Sequence, residues 1–175
     1  WSQFLRIHWS TMAAPDFFTT EVWTAKGLVT IYTLFVIKLD SRRVHVVGST
    51  AHPNRVFMKQ AALDLAAFDD GFLRETTHMI IDRDSKFTAQ FEEILNDNGV
   101  KLVKIPAGSP NCNPHAERFV KSIKAECLSK MIFFGRRALD KAIKNFIEHY
   151  NAERNHQGIG NEFIDAKVIP TDGTI

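Results

Sequence analysis

Residues 12–39 read MAAPDFFTTEVWTAKGLVTIYTLFVIKL, and this stretch decides the fold class. Met12 to Val22 is rich in Phe, Thr and Val, Lys26-Gly27 is a turn signal, and Leu28 to Leu39 is a long β-branched and aromatic run. Such side chains suit a pleated, half-buried surface, so the pattern predicts a β-hairpin. Asp40-Ser41 marks a second turn and Val44 to Val47 a third strand before Gly48, which gives an antiparallel start to a sheet.

After the hairpin the periodicity changes. Pro53 opens a segment to Phe68 rich in Ala, Leu, Met and Gln, closed by Asp69-Asp70-Gly71, which reads as a helix with start and stop signals. His78 to Ile81 reads as a short buried strand, Ala89 to Leu95 as a helix ending near Asn98-Gly99, and Val100 to Ile105 as another strand. Two more helices are expected, from Pro114 to about Leu128 and from about Ala138 to Tyr150. The second carries Leu139, Ala142, Ile143, Phe146, Ile147 and Tyr150 at helical spacing. Five strands with helices on both faces make a three-layer α/β/α domain.

The bulk properties fit that picture and exclude others. A chain of 175 residues is long enough for one domain with a continuous apolar core, and no tract divides it into two. No window approaches the ~20 apolar residues of a membrane span, and the start WSQFLRIHWS does not read as a secretory signal. Cys112 and Cys127 are too few for a disulfide framework, and the Cys112–His115 spacing has no second pair to complete a zinc site. Net charge is only +2, yet Arg118 to Arg154 holds nine Lys and Arg against four Asp and Glu. That bias fits either a solvated helix face or a surface that neutralises phosphates.

Three carboxylates stand out. Asp16 interrupts the apolar and hydroxyl-bearing strand AAPDFFTTEV, where desolvation disfavours a charge unless something compensates it. Taken alone, it could be an edge-strand aspartate facing water. Asp82 follows the strand HMII, at the kind of strand end where open α/β sheets place ligands, with Asp84 as a local competitor two positions on. Glu117 lies in SPNCNPHAERFVKSIKAECL, where Asn113 is placed to cap a helix and Pro114 to begin it. Glu117 then sits near the positive end of that helix, on an arc shared with Lys121 and Lys124. The bland alternative for it is an i,i+4 surface pair with Lys121. Carboxylates gathered without counter-charge repel one another, and divalent cations between them remove the repulsion. Paired magnesium ions are a known device for in-line phosphoryl displacement.

The order Asp16, Asp82, Glu117, with Glu117 standing 35 positions after Asp82, resembles the D-D-35-E signature of retroviral integrases and bacterial insertion-sequence transposases. The blocks DFFTTEVWTAKG, LFVIKLDSRRVHVVGST, IIDRDSKFT, KIPAGSPNCNPHAERFVKSIKAECL and HYNAERNHQG resemble those of bacterial integrase-core transposases and span nearly the whole chain. Asn155 stands where a proline is common in the family and Asn113 where a glycine is common.

The resemblance implies a ribonuclease-H-like fold: a five-stranded mixed sheet whose first three strands form an antiparallel meander, with the first and fourth strands side by side. It implies that Asp16, Asp82 and Glu117 are catalytic and bind Mg2+ or Mn2+, two ions in all. The activity implied is cleavage of a DNA strand and transfer of the freed 3′ hydroxyl into a target strand. Counting back from Phe87 aligns Asp82, not Asp84, with the family's second aspartate. Lys121 and Lys124, with Arg118 beside them, fall at basic positions expected to contact DNA.

The family's flanking helix-turn-helix, zinc-binding or small carboxyl-terminal domains are not among these residues, so the expectation for 1–175 is one catalytic core from a longer protein. A homodimer or higher oligomer is expected, with Phe133 and Phe134 as candidate contacts or as core, and a cytoplasmic location acting on the bacterial nucleoid. Two rival functions stand beside this reading: a ribonuclease-H-like nuclease that only hydrolyses, and a retired recombinase that only binds DNA or a partner. The retired form would be marked by loss of a triad carboxylate, and all three are present.

Overall fold

The computed structural model describes residues 2–67, 71–105, 113–152 and 164. Its elements are α1 (Ser2–His8), β1 (Met12–Thr24), β2 (Gly27–Lys38), β3 (Val44–Thr50), α2 (Arg55–Ala66), β4 (His78–Ile81), α3 (Ala89–Asp97), β5 (Lys101–Lys104), α4 (Pro114–Glu126), β6 (Phe133–Phe134) and α5 (Arg136–Ala152). The sheet runs β3-β2-β1-β4-β5, with β1, β2 and β3 antiparallel and β4 and β5 parallel to β1. The expected meander and the adjacency of first and fourth strands are both present. All five expected strands are present, and Phe133–Phe134 adds a short parallel pairing at Val22 and Trp23 of β1 as a sixth.

Alternation along β1 splits the core in two. Met12, Ala14, Phe18 and Val22 pack with Ala116, Phe119 and Ile123 of α4 and Leu139, Ile143 and Phe146 of α5. On the other face Ala13 packs with Met58, Ala62 and Leu65 of α2 and Phe91 and Leu95 of α3. A period of two in the strands and 3.6 in the helices therefore builds the three-layer arrangement.

Local chemistry sets the element ends. Gly27, at φ +106°, closes the β1–β2 turn, a conformation that costs a residue with a Cβ. The first long helix starts at Arg55 rather than Pro53, because the Asn54 side chain accepts the Phe57 amide at 3.1 Å as its cap. It ends at Ala66, short of the expected Phe68; Phe68, Asp69 and Asp70 lie outside the described residues. The last helix starts two residues before the expected Ala138, at Arg136, whose Nε meets Asp140 at 3.0 Å across one turn. Helix α1 was not among the expected elements; it docks through Phe4 and His8 against His78 of β4, at ring separations of 5.3 and 4.3 Å. Among the described residues no helix is long and apolar enough to cross a membrane.

Candidate active site

Pro15 shapes the opening beside Asp16. The Met12 carbonyl accepts from the Leu39 amide, so the backbone groups of Met12 face β2. In an antiparallel ladder these directions alternate, so Pro15 turns its nitrogen toward β4, where it has no N–H to give. The β1–β4 ladder stops after Ala13 pairs with Met79, and β6 rejoins the same side of β1 only at Val22. Between these points that edge of β1 is unpaired, and Asp16 lies on this stretch. Across β2 the register with β3 shifts between Leu34 and Phe35, and Phe35 is the β2 partner of Asp16. Bulges of this kind re-aim side chains near sites.

Asp16 shares its face of β1 with Ala14 and Phe18, the face covered by α4 and α5. Ile80 belongs to the same cluster while Met79 and Ile81 belong to the opposite one, so continued alternation gives Asp82 the face of Asp16. Glu117 is in the first turn of α4, whose Ala116 and Phe119 are sunk into that cluster. The cap is the expected one: the Asn113 side chain accepts the Ala116 amide at 3.3 Å, and Pro114 is the first helical residue. The Cys112 half of the Cys112–His115 spacing lies outside the described residues.

The electrostatics follow. Asp16 is half-buried, and its carboxyl is raised from 3.8 to about 6, mainly by burial. The Phe17 amide, 2.7 Å from Oδ1, opposes that, while Asp82, Glu117 and Asp84 each push the value further up. Asp82 and Glu117 are exposed. Asp84 is already engaged: it receives the Lys86 amide at 2.9 Å and forms an ion pair with the Lys86 ammonium. Burial alone would raise its pKa, but the Lys86 contacts outweigh burial and lower it. Asp82 Oδ1 accepts the Asp84 amide at 3.1 Å, which leaves its other oxygen outside the turn.

Among the described residues no three His, Cys, Asp or Glu side chains close into a ready ion cage. The donor set is nonetheless that of a hard divalent cation: carboxylate oxygens, one of them with its proton affinity raised mainly by burial and further by its carboxylate neighbours.

The flanking surface is basic. Arg118, Lys121 and Lys124 are exposed on α4, and none of them forms an ion pair among the described residues, so the expected alternative of a Glu117–Lys121 pair is not formed. Two residues that sequence reading did not single out, Glu92 and Lys104, pair at 2.8 Å and line a depression of about 370 Å³ with Asp82, Arg83 and Ser85. They come from α3 and β5, and no local pattern joins them.

Residues 98–162 match the family model of the integrase core domain. Over those residues the chain is similar to an integrase core. Solved structures agree in fold. The core is similar to the HTLV-2 integrase catalytic core domain in complex with magnesium, with TM-score 0.64 and 15% identity over 89% of this chain and 93% of that one. It is also similar to the BIV integrase catalytic core domain, with TM-score 0.60 and 16% identity over 89% and 91%. A chain of the simian T-cell lymphotropic virus intasome matches with TM-score 0.59 and 13% identity over 81% of this core, which spans 48% of that chain's length. No curated protein matches in sequence. The fold is thus the ribonuclease-H-like one expected, and the start of α4, with Glu117, falls inside the segment that matches the family model.

Proposed function

We propose that this core cuts DNA strands and transfers their ends, with Asp16, Asp82 and Glu117 holding two divalent cations, Mg2+ or Mn2+. The observation that carries the reading is the half-buried Asp16 on an unpaired strand edge, its proton affinity raised within the field of Asp82 and Glu117. A buried carboxylate with carboxylate neighbours and no cation is a poor structural element, whereas it is a good ligand. When bound, such a pair of ions activates an attacking oxygen and stabilises the leaving oxygen of an in-line displacement at phosphorus.

The chain's own residues would do the rest. Asp16 is fixed in the sheet by pairing on the β2 side, so its carboxyl is held on a rigid strand. Glu117 enters from the first turn of a capped helix, at the positive end of the helix dipole. Arg118, Lys121 and Lys124 would neutralise phosphates along the strand and position it without reading bases.

The experiment supplies Mg2+ or Mn2+ with labelled duplex and branched oligonucleotides, and measures nicking, strand joining and the reverse of joining. Joining and its reversal support the reading. Nicking without either would make the protein a nuclease that only hydrolyses, and duplex binding without cleavage would make it a retired recombinase.

A further inference from the structure

Beyond the three carboxylates, a second cluster stands at the start of α4, and it has the opposite charge. Arg42 lies in the turn between β2 and β3 with φ +63°, a left-handed backbone that a long side chain adopts at a cost. Its guanidinium sits 5.4 Å from the centre of the Trp9 ring. The same indole meets His115 of α4 edge-on, with ring centroids 5.7 Å apart. Arg118 is the third member, close enough to act on both Arg42 and His115.

Among the described residues no anion is paired with the cluster. Arg42 Nη1 is sealed from solvent and has no hydrogen-bond partner, and no described residue forms an ion pair with this side chain. Asp40, two residues away, leaves its own buried Oδ1 unpartnered and does not bond the guanidinium. Burial acts most strongly against the charge of Arg42, Arg118 adds to that, and only Tyr150 and Asp40 act the other way. A half-buried guanidinium over an indole, beside another arginine and without a hydrogen bond or ion pair to any described residue, is a costly arrangement that an anion at its accessible edge would relieve. An oxyanion with several acceptor oxygens would complete it, and Arg presents a fork that matches one.

We propose that Arg42, with Arg118 and His115, binds a phosphodiester of the DNA strand next to the one that faces Glu117. The proposal rests on the DNA-processing reading above. Its position follows from the chain: His115 and Arg118 flank Glu117 on α4, and Arg42 reaches the same turn from the sheet. The Trp9 ring lies against the guanidinium, so the contact is made by a group already oriented. Arg118, exposed and on the same helix face, supplies the solvent side of the same phosphate.

The test measures equilibrium binding of a fluorescent DNA duplex over a series of salt concentrations with EDTA present, so that no cleavage intervenes. The variants are R42Q, R42G and R43Q. R42G suits the left-handed turn and keeps the test alive if R42Q folds poorly. R43Q removes the same charge from the neighbouring exposed position.

R42Q and R42G are expected to bind about fivefold to tenfold more weakly at low salt, with the log–log salt slope reduced by about 0.9, the share of one phosphate. R43Q is expected to change both by clearly less. Wild-type affinity and slope in the Arg42 variants would overturn the proposal and leave the DNA reading standing. An equal loss in R43Q would also overturn it, since charge alone would then explain the effect. A wild-type protein that binds no duplex at any salt would remove both.

Discussion

The side chain of Asn151, near the end of α5, holds both backbone polar groups of Val44 on the edge strand β3. Its Oδ1 accepts the Val44 amide at 3.1 Å and its Nδ2 donates to the Val44 carbonyl at 2.9 Å, with both residues buried. Only a carboxamide can donate and accept here. Asn151→Ala would leave a buried N–H and C=O unpaired, at about 1–3 kcal/mol each. Asn151→Asp keeps the acceptor and loses the donor, so it would also destabilise. Chemical denaturation should show a lower midpoint for both variants, and a wild-type midpoint for Asn151→Ala would mean water replaces the clamp at no cost.

Asp82 and Asp84 should separate cleanly in an activity assay. Asp84 is occupied by Lys86, whose ammonium also lies 5.5 Å from the Phe17 ring, so its role is to hold the loop after β4. Asp84→Asn is expected to cost about 1 kcal/mol of stability and to keep strand-cleavage activity within about tenfold. Asp82→Asn is expected to fold normally and lose cleavage by about a thousandfold or more, the equivalent of several kcal/mol of metal-dependent stabilisation. The reverse pattern, with Asp84→Asn dead and Asp82→Asn active, would reassign the second ligand.

Much of this was legible because it is local. The strand HMII runs from His78 to Ile81 as read, Gly27 turns the hairpin, and Asn113 with Pro114 starts α4 where capping chemistry puts it. What escaped reading depends on partners far along the chain. The seven-residue helix α1 is too short to hold by itself and is fixed by rings from β4. The two residues of β6 form a strand only because β1 has a free edge there, and that pairing divides Phe133, buried at 3%, from Phe134, exposed at 74%. The effect of Pro15 needs the direction of its missing N–H, which follows from the register with β2 and not from the sequence. For the same reason Arg42 carried no signal in the sequence, since its setting depends on Trp9 and α4.

Lys121 and Lys124 lie four and seven residues after Glu117 on an exposed stripe of α4. Replacing both with Gln removes two charges without touching the buried Phe119 and Ile123. Thermal stability should stay within about 0.5 kcal/mol of wild type, as for surface changes in general. Duplex affinity should fall, and the salt slope should shrink by about 1.8, the share of two phosphates. An unchanged slope would make this stripe a solvated helix face and move the DNA path elsewhere.

The protonation of Asp16 ties stability, pH and metal together. Its folded pKa of about 6 is above the ordinary 3.8, so between those values the folded protein keeps a proton that the unfolded chain gives up. The sign follows: the group carries no penalty at acid pH, stability falls as pH rises through that window, and the full penalty is present above about pH 6. Allowing for partial exposure, that penalty is on the order of 1–2 kcal/mol. Asp16→Asn should therefore melt higher than wild type in EDTA at about pH 7.5, and the difference should shrink to nothing as the pH falls toward about 4. Adding Mg2+ or Mn2+ at neutral pH should reverse the order, because an ion that binds only the folded state stabilises it by mass action and the amide is a poorer ligand. Melting curves of both proteins across pH, with and without metal, give the answer. If Asp16→Asn were no more stable at neutral pH, the crowding of carboxylates around Asp16 would be electrostatically unimportant; if metal stabilised the variant as much as wild type, Asp16 would not be a ligand.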